Sequence, residues 1–327
     1  MAEKIRWGIL STAGIGKNRV IPAIQKSRNG EVVAVASRTQ ERAQAFAAET
    51  KIPQAYGSYE ALIESGAVDA IYIPVPNSEH AEWSIRCAEA GIPTLCEKPL
   101  ARNAAEAHHM VEVFAERGVL FAEAFMYRFH PQHWRVKELI AEGAIGQMQV
   151  ISSAFTFAVR SEENIRLQAN LAGGALMDVG CYCVNAMRLL TEEEPEAAQA
   201  FAQFGDKTGV DEIITGILRF PSGVLGHFDA GLRTHRVHSY EVRGSEGRIL
   251  VEESFVPYAQ DTIIRVWRGE DYREIVVPDV DQYQLMVEDF GDALLQGRPP
   301  KFAPQDAVRN MRALDWLIAS ARANVKR

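Results

Sequence analysis

The chain has 327 residues, long for one hydrophobic core and suited to two domains; 47% hydrophobic and 24% charged residues are the balance of a globular protein. A formal net charge of −8 with no basic block argues against nucleic acid as the main partner. No apolar run approaches the ~20 residues of a bilayer span, and the chain enters a strand pattern without a signal peptide, so a cytoplasmic protein with no membrane partner is expected. Cys87, Cys96, Cys181 and Cys183 are too few for a disulfide framework and match no zinc spacing, so free buried thiols and no metal are expected.

Residues 5–10 form a short apolar run that feeds Ser11-Thr12-Ala13-Gly14-Ile15-Gly16. A strand, a Gly-x-Gly-x-x-Gly turn and a helix make the dinucleotide fingerprint. Here Ser11 and Ala13 stand in place of the first two glycines, and Gly16 keeps the third. Small side chains are what the turn needs, because backbone amides must approach a pyrophosphate at the helix N-terminus. A second apolar run at 32–36 reads as a strand buried on both faces. An NAD-preferring domain places Asp or Glu near the end of this strand, where it binds the ribose 2′-hydroxyl. This chain instead reads Ser37-Arg38-Thr39, with Arg42 one helical turn further on. Two guanidinium groups would hold a 2′-phosphate that a carboxylate would repel, so NADP is expected over NAD.

Strand-like runs at 5–10, 32–36, 70–73, 94–96 and 119–122 alternate with helical patterns at 16–28, 40–49, 58–65, 79–90 and 103–117. That order predicts an α/β domain with a doubly wound parallel Rossmann sheet. Pro74, Pro76 and Pro99 follow strands, at the sheet edge where ligands sit. A helix over 131–142 then gives way to period-two alternation at 147–157, 197–204, 211–220, 223–230, 238–244, 248–252, 261–267 and 273–277. Residues 221–223 and 245–247 look like hairpin turns. The result is an α+β domain with a large open antiparallel sheet, closed by helices over 283–296 and 305–325. The expected division is 1–122 for the nucleotide domain and 123–327 for substrate binding and oligomerisation, with the C-terminal helices free to pack back on the first domain.

Three segments carry candidate chemistry: Glu97-Lys98-Pro99 after a strand, the stretch 123–132, and Gly173-Gly174-Ala175-Leu176-Met177-Asp178-Val179-Gly180-Cys181-Tyr182 opening a helix. Asp178 and Tyr182 are four apart and share a helix face. Hydride removal from a carbon bearing a hydroxyl needs a group to take the hydroxyl proton. The tyrosine pKa of roughly 10 is too high for that unless a cation such as Lys98 lowers it. Asp178 would accept hydrogen bonds from substrate hydroxyls.

With these motifs the chain resembles the Gfo/Idh/MocA oxidoreductases nearly end to end. The residues that carry the resemblance are S-T-A-G-I-G, P-V-P-N-S-E-H, E-K-P, E-A-F-M-Y-R-F-H-P-Q and N-I-R-L…G-G-A-L-M-D-V-G-C-Y. It is most similar to the branch of NADP-dependent D-xylose (aldose) 1-dehydrogenases and dimeric trans-dihydrodiol dehydrogenases. The resemblance implies a Rossmann domain plus an open sheet used for assembly as a homodimer or homotetramer. It implies proton transfer by Lys98 and Tyr182, substrate positioning by Asp178, and a cis peptide before Pro99. It also implies that Pro74, Val75, Pro76, Asn77 and His80 line the cofactor, with Glu97 and Lys98 against the nicotinamide and Arg166 and Tyr283 able to touch it. Tyr127, Arg128 and His130 are expected to pack rather than catalyse.

The leading expectation is an NADP-dependent oxidoreductase acting on a sugar or polyol, as an aldose 1-dehydrogenase or keto-sugar reductase. A trans-1,2-dihydrodiol dehydrogenase is the alternative, with Phe155, Phe157 and Phe255 available for an aromatic-lined pocket. A non-catalytic NADP(H)-sensing regulator is the reading from another class. The joint presence of Lys98, Asp178 and Tyr182 weighs against it.

Overall fold

Four strands built on apolar runs lie side by side in the computed structural model, which describes residues 4–257 and 259–325. They are β1 (Ile5–Leu10), β2 (Gly30–Ala36), β4 (Ala70–Ile73) and β5 (Thr94–Glu97). With β3 (Gln54–Tyr56) and β6 (Phe121–Ala124) they make a wholly parallel sheet in the order β3-β2-β1-β4-β5-β6. Every residue of β4, β5 and β6 is buried, which is why no alternation shows in their sequence. The sequence reading missed β3, whose three residues Gln-Ala-Tyr sit on the sheet edge, half exposed and with no apolar run.

The helices between these strands are α1 (Ile21–Lys26), α2 (Gln40–Thr50), α3 (Tyr59–Ile63), α4 (His80–Glu89) and α5 (Ala104–Arg117). Local chemistry sets their ends. Thr39, Ser58 and Asn103 each accept a hydrogen bond from a backbone N–H of the turn they cap, and Gly118 ends α5 in the left-handed region. Before α1 the chain makes one wide π-type turn at Gly16–Val20. This first compact unit ends at Phe129 and resumes over Asp281–Val308. In it α8 (Gln282–Gln296) packs Phe290 against Trp7, ring centroids 5.2 Å apart, and Arg28 pairs with Asp292 and Glu288.

The second unit is His130–Val280 and continues from Arg309. Its helices are α6 (Pro131–Ala141), α7 (Cys181–Thr191) and the greater part of α9 (Pro304–Ala323). Its eight strands are β7 (Met148–Ala158), β8 (Ala197–Phe204), β9 (Asp211–Arg219), β10 (Leu225–Gly231), β11 (Arg233–Gly244), β12 (Gly247–Val251), β13 (Thr262–Arg268) and β14 (Asp271–Val277). They form one sheet in the order β14-β13-β12-β11-β7-β10-β9-β8. The turns at 221–223 and 245–247 join β9 to β10 and β11 to β12, as read from sequence. One pairing departs from the expected antiparallel pattern, because β10 runs parallel to β7. The β8–β9–β10 meander brings its last strand back beside β7 in the same direction, and local alternation carries no record of such a distant pairing. On β9 and β10 alternate residues such as Ile214, Leu218, Phe228 and Ala230 are buried, and the intervening ones face outward.

No helix among the described residues is long and apolar enough to cross a membrane.

Candidate active site

At the nucleotide end, Ser11 follows β1 with φ +149°, a backbone setting that favours glycine. Such strain costs on the order of 1–3 kcal/mol in a residue with a side chain. The serine offsets it with its own hydroxyl, which donates to Pro74 O at 3.0 Å and accepts from Ala13 N at 3.2 Å. At about 0.5–1.5 kcal/mol each these bonds match the cost. The turn therefore keeps a glycine-type path without glycine, and Thr12, Ala13, Gly14 and Ile15 follow it into the helical stretch. Gly16 seats that stretch on the sheet: a β-carbon there would already touch the Pro74 and Tyr72 side chains at 3.7 and 3.9 Å.

Ser37 is buried at the end of β2, and Arg38 is exposed. Arg42 reaches back from α2, its Nη2 3.5 Å from Thr12 Oγ1. The arginine read as a 2′-phosphate ligand thus stands over the fingerprint turn, and the segment 37–40 between strand and helix contains no carboxylate. These residues fit the adenosine end of NADP.

The loop after β4 is tied down by its carbonyls. Pro74 O takes the Ser11 hydroxyl, Val75 O faces His80, and Pro76 O accepts Glu79 N at 2.8 Å as Asn77 starts a short 3₁₀ turn. His80, placed against the cofactor by the sequence reading, is fully buried. Its Nδ1 lies 2.9 Å from Pro99 O and its Nε2 3.0 Å from Val75 O. Burial pushes its pKa down to about 4, so the neutral ring donates to one carbonyl at a time. Both of its ring nitrogens thus face backbone carbonyls of the two loops.

The Lys98 loop is fixed from three directions. Glu97 accepts the Tyr72 hydroxyl at 2.5 Å with one oxygen and Lys98 N at 3.2 Å with the other. His80 braces Pro99, and Glu123 Oε1 accepts Leu100 N at 3.1 Å. Tyr72 is fully buried, and burial with the adjacent Glu97 charge holds its pKa well above the ordinary tyrosine value. The Lys98–Pro99 peptide is cis, as the resemblance implies. Tyr283, on the first turn of α8, lies within electrostatic reach of Tyr72. Arg128 packs as expected, buried between Asp306 at 2.7 Å and the rings of Phe302 and Phe125. Sequence reasoning missed Tyr72 and Glu123. A tyrosine inside the apolar run Ala-Ile-Tyr-Ile was the available signal, because a buried phenol needs an acceptor.

In the second unit the paired glycines have separate steric reasons. A β-carbon on Gly173 would fall 2.4 Å from Arg166 O, and one on Gly174, at φ +120°, would fall 2.1 Å from Asp211 Oδ1. The chain then makes a second π-type turn, Leu176–Gly180, and runs on into α7. Such widened turns gather at functional sites. Asp178 lies in this wide turn and Tyr182 in α7, so their spacing of four is not one regular α-helical turn. Arg166, expected at the cofactor, donates from Nε to Asp178 Oδ2 at 2.7 Å, with its guanidinium 5.7 Å from the centre of the Phe157 ring. Tyr182 is flanked by Phe155 and Phe255, at 5.2 and 5.4 Å between centroids, and these two rings stack on each other. Asp211 was also missed; its carboxylate accepts Leu176 N at 2.7 Å, and burial lifts its pKa to about 6.

The four cysteines are free and buried, and among the described residues no cluster of His, Cys, Asp and Glu could hold a metal ion.

The first unit thus has the build of a nucleotide-dependent oxidoreductase domain, and the sequence agrees with that class. Residues 5–125 match the Gfo/Idh/MocA oxidoreductase family with an NAD-binding Rossmann fold, and residues 133–250 match the Gfo/Idh/MocA C-terminal domain. The chain belongs to the Gfo/Idh/MocA oxidoreductase family. It is 39% identical over 318 residues to D-xylose 1-dehydrogenase (NADP(+)) 2 of Haloferax volcanii, covering 96% of this chain and 97% of that protein. It is 34% identical over 256 residues to trans-1,2-dihydrobenzene-1,2-diol dehydrogenase of Mus musculus, covering 77% and 76%. Among solved structures it resembles a 3-ketoreductase from Actinomadura kijaniata in complex with TDP-benzene and NADP. There the TM-score is 0.91 at 31% identity, covering 97% of this chain and 98% of that one.

Proposed function

We propose that the chain is an NADP-dependent oxidoreductase that moves a hydride between nicotinamide and a sugar or polyol carbon, as an aldose 1-dehydrogenase or keto-sugar reductase. The observation that carries the cofactor choice is Arg42 over Thr12 beside exposed Arg38. The relatives named as a D-xylose 1-dehydrogenase and a 3-ketoreductase support the substrate class. When bound, NADP(H) supplies or accepts the hydride at nicotinamide C4. In the first unit the turn 11–16, Ser37, Arg38 and Arg42 hold its adenosine and phosphates, and residues 74–77, Glu97, Lys98 and Tyr283 serve its nicotinamide end.

In the second unit Tyr182 is the acid/base at the substrate oxygen, and the Lys98 cation favours the tyrosinate. Asp178, held by the Arg166 guanidinium, accepts hydrogen bonds from substrate hydroxyls. Phe155 and Phe255 are engaged in packing the Tyr182 ring, and Phe157 carries Arg166. That use of the three phenylalanines supports a polyol substrate over the dihydrodiol alternative. Free buried thiols suit a reducing cytoplasm.

Replacing both Arg38 and Arg42 with alanine tests the cofactor assignment. Charge-assisted bonds contribute roughly 1.5–3 kcal/mol each, so wild type is expected to prefer NADP over NAD by about tenfold or more. The double variant should lose most of that preference, measured as the ratio of the two Kd values. An undiminished preference would remove these arginines from the assignment.

We also infer that a second copy covers the outer face of the eight-stranded sheet, giving a homodimer or homotetramer. Phe201, Ile217 and Val276 are 56%, 54% and 58% exposed, and Tyr272 and Trp267 adjoin there with rings 4.9 Å apart. Exposed apolar surface of this kind is seldom left bare. Sedimentation at micromolar concentration is expected to show an oligomer; a stable monomer would refute it.

A further inference from the structure

Asp211 opens β9 and is 4% exposed, and it lies at the start of the helical stretch that bears Asp178 and Tyr182. Its Oδ2 accepts Leu176 N at 2.7 Å, the first backbone N–H of the wide turn. Its Oδ1 fills the space where a side chain on Gly174 would begin, 2.1 Å from that β-carbon position. Gly174 is also the crossing point of the functional residues. Its carbonyl accepts Asp178 N at 3.0 Å, and its N–H donates to Arg166 O at 2.8 Å. One buried carboxylate therefore touches the peptide from which both the Asp178 backbone and the Arg166 backbone hang.

We propose that Asp211 is a positioning residue: it fixes the start of the stretch from Leu176 into α7 and thereby sets where Asp178 and Tyr182 stand. The proposal rests on the reading of Tyr182 as the acid/base. A catalytic group displaced by about 1 Å can lose on the order of 10²-fold in rate, so a lost backbone bond at the head of the helix is felt in turnover. The carboxylate gives one oxygen to the Leu176 N–H and sets the other against Gly174. An asparagine has one acceptor oxygen, so its NH₂ must either face the Leu176 N–H or press on Gly174.

The test uses Asp211→Asn, which keeps the volume, alone and combined with Tyr182→Phe. Asp211→Asn is expected to lower kcat by about 10- to 100-fold. NADP affinity should change far less than kcat, because the proposed cofactor residues other than Arg166 belong to the first unit. Hydrogen exchange should quicken in the peptide 173–182 and not across the sheet. In the Tyr182→Phe background the same change should cost less than about twofold further, since both act through one group.

Unchanged exchange in 173–182, unchanged kcat, or full additivity with Tyr182→Phe would each overturn the proposal. Near-normal turnover of Tyr182→Phe alone would instead count against the acid/base reading, with the exchange result still deciding whether Asp211 holds the helix. If Asp211→Asn does not fold, Gly174→Ala presses on the same carboxylate with its charge intact. It should give the same fall in kcat, and normal turnover there would contradict the proposal.

Discussion

Tyr182→Phe is expected to lower turnover by about 10²–10⁴-fold, the usual contribution of general acid–base catalysis, while NADP affinity barely changes. The substitution is clean because the ring is held by Phe155 and Phe255 on its faces and edges, contacts that a phenylalanine keeps. Only the titratable hydroxyl is lost. The fall should therefore appear equally in kcat and kcat/KM, the pattern of an interaction made in the transition state. Steady-state kinetics with direct NADP binding separates these quantities. A Tyr182→Phe enzyme with near-normal turnover would pass the proton-transfer role to Lys98 itself.

Lys98→Met should lower turnover to a similar degree, by about 10²-fold or more, through a different cause. Methionine keeps much of the aliphatic stem but removes the cation. The backbone that carries it is fixed by Glu97, His80 and Glu123, so the loop should hold its path. On the proposed mechanism the Lys98 cation favours the tyrosinate, hence its removal raises the tyrosine pKa. In the oxidative direction, where the base form is needed, residual activity should then rise with pH over a higher range than in wild type. A pH–rate profile of Lys98→Met with its ascending limb unmoved would dissociate the lysine from the tyrosine.

Much of this was legible because buried parallel strands leave a plain mark. The runs at β1, β2, β4 and β5 are apolar on both faces along most of their length, and the chemistry-bearing turns follow directly from their ends. The edge strand β3 left no mark because it buries too little. The β7–β10 pairing left none because a parallel contact between distant strands depends on the path of the meander rather than on alternation. Within the site, Ser11 and Ala13 read from sequence as stand-ins for two glycines, and the structure keeps the turn through hydrogen bonds of the serine hydroxyl. Arg166 and Asp178 are twelve apart, across a loop and two glycines, so no helical spacing could pair them. The motif Gly173-Gly174 announced a close approach but could not name Asp211, which arrives from a strand more than thirty residues later. His80 reads as a cofactor-lining residue by its place in P-V-P-N-S-E-H, and only the structure shows its ring set between two loop carbonyls.

The central claim is hydride transfer between a sugar carbon and NADP, and the fate of a carbon-bound deuterium tests it most directly. Aldoses such as D-xylose and D-glucose, labelled at the oxidised carbon, would be incubated with the protein and NADP, beside an unlabelled benzene dihydrodiol as competitor. The account predicts NADPH that carries the sugar's deuterium, and faster turnover of a sugar than of the dihydrodiol. NADP binding without turnover of any sugar, keto-sugar or polyol, or turnover of the dihydrodiol alone, would contradict it.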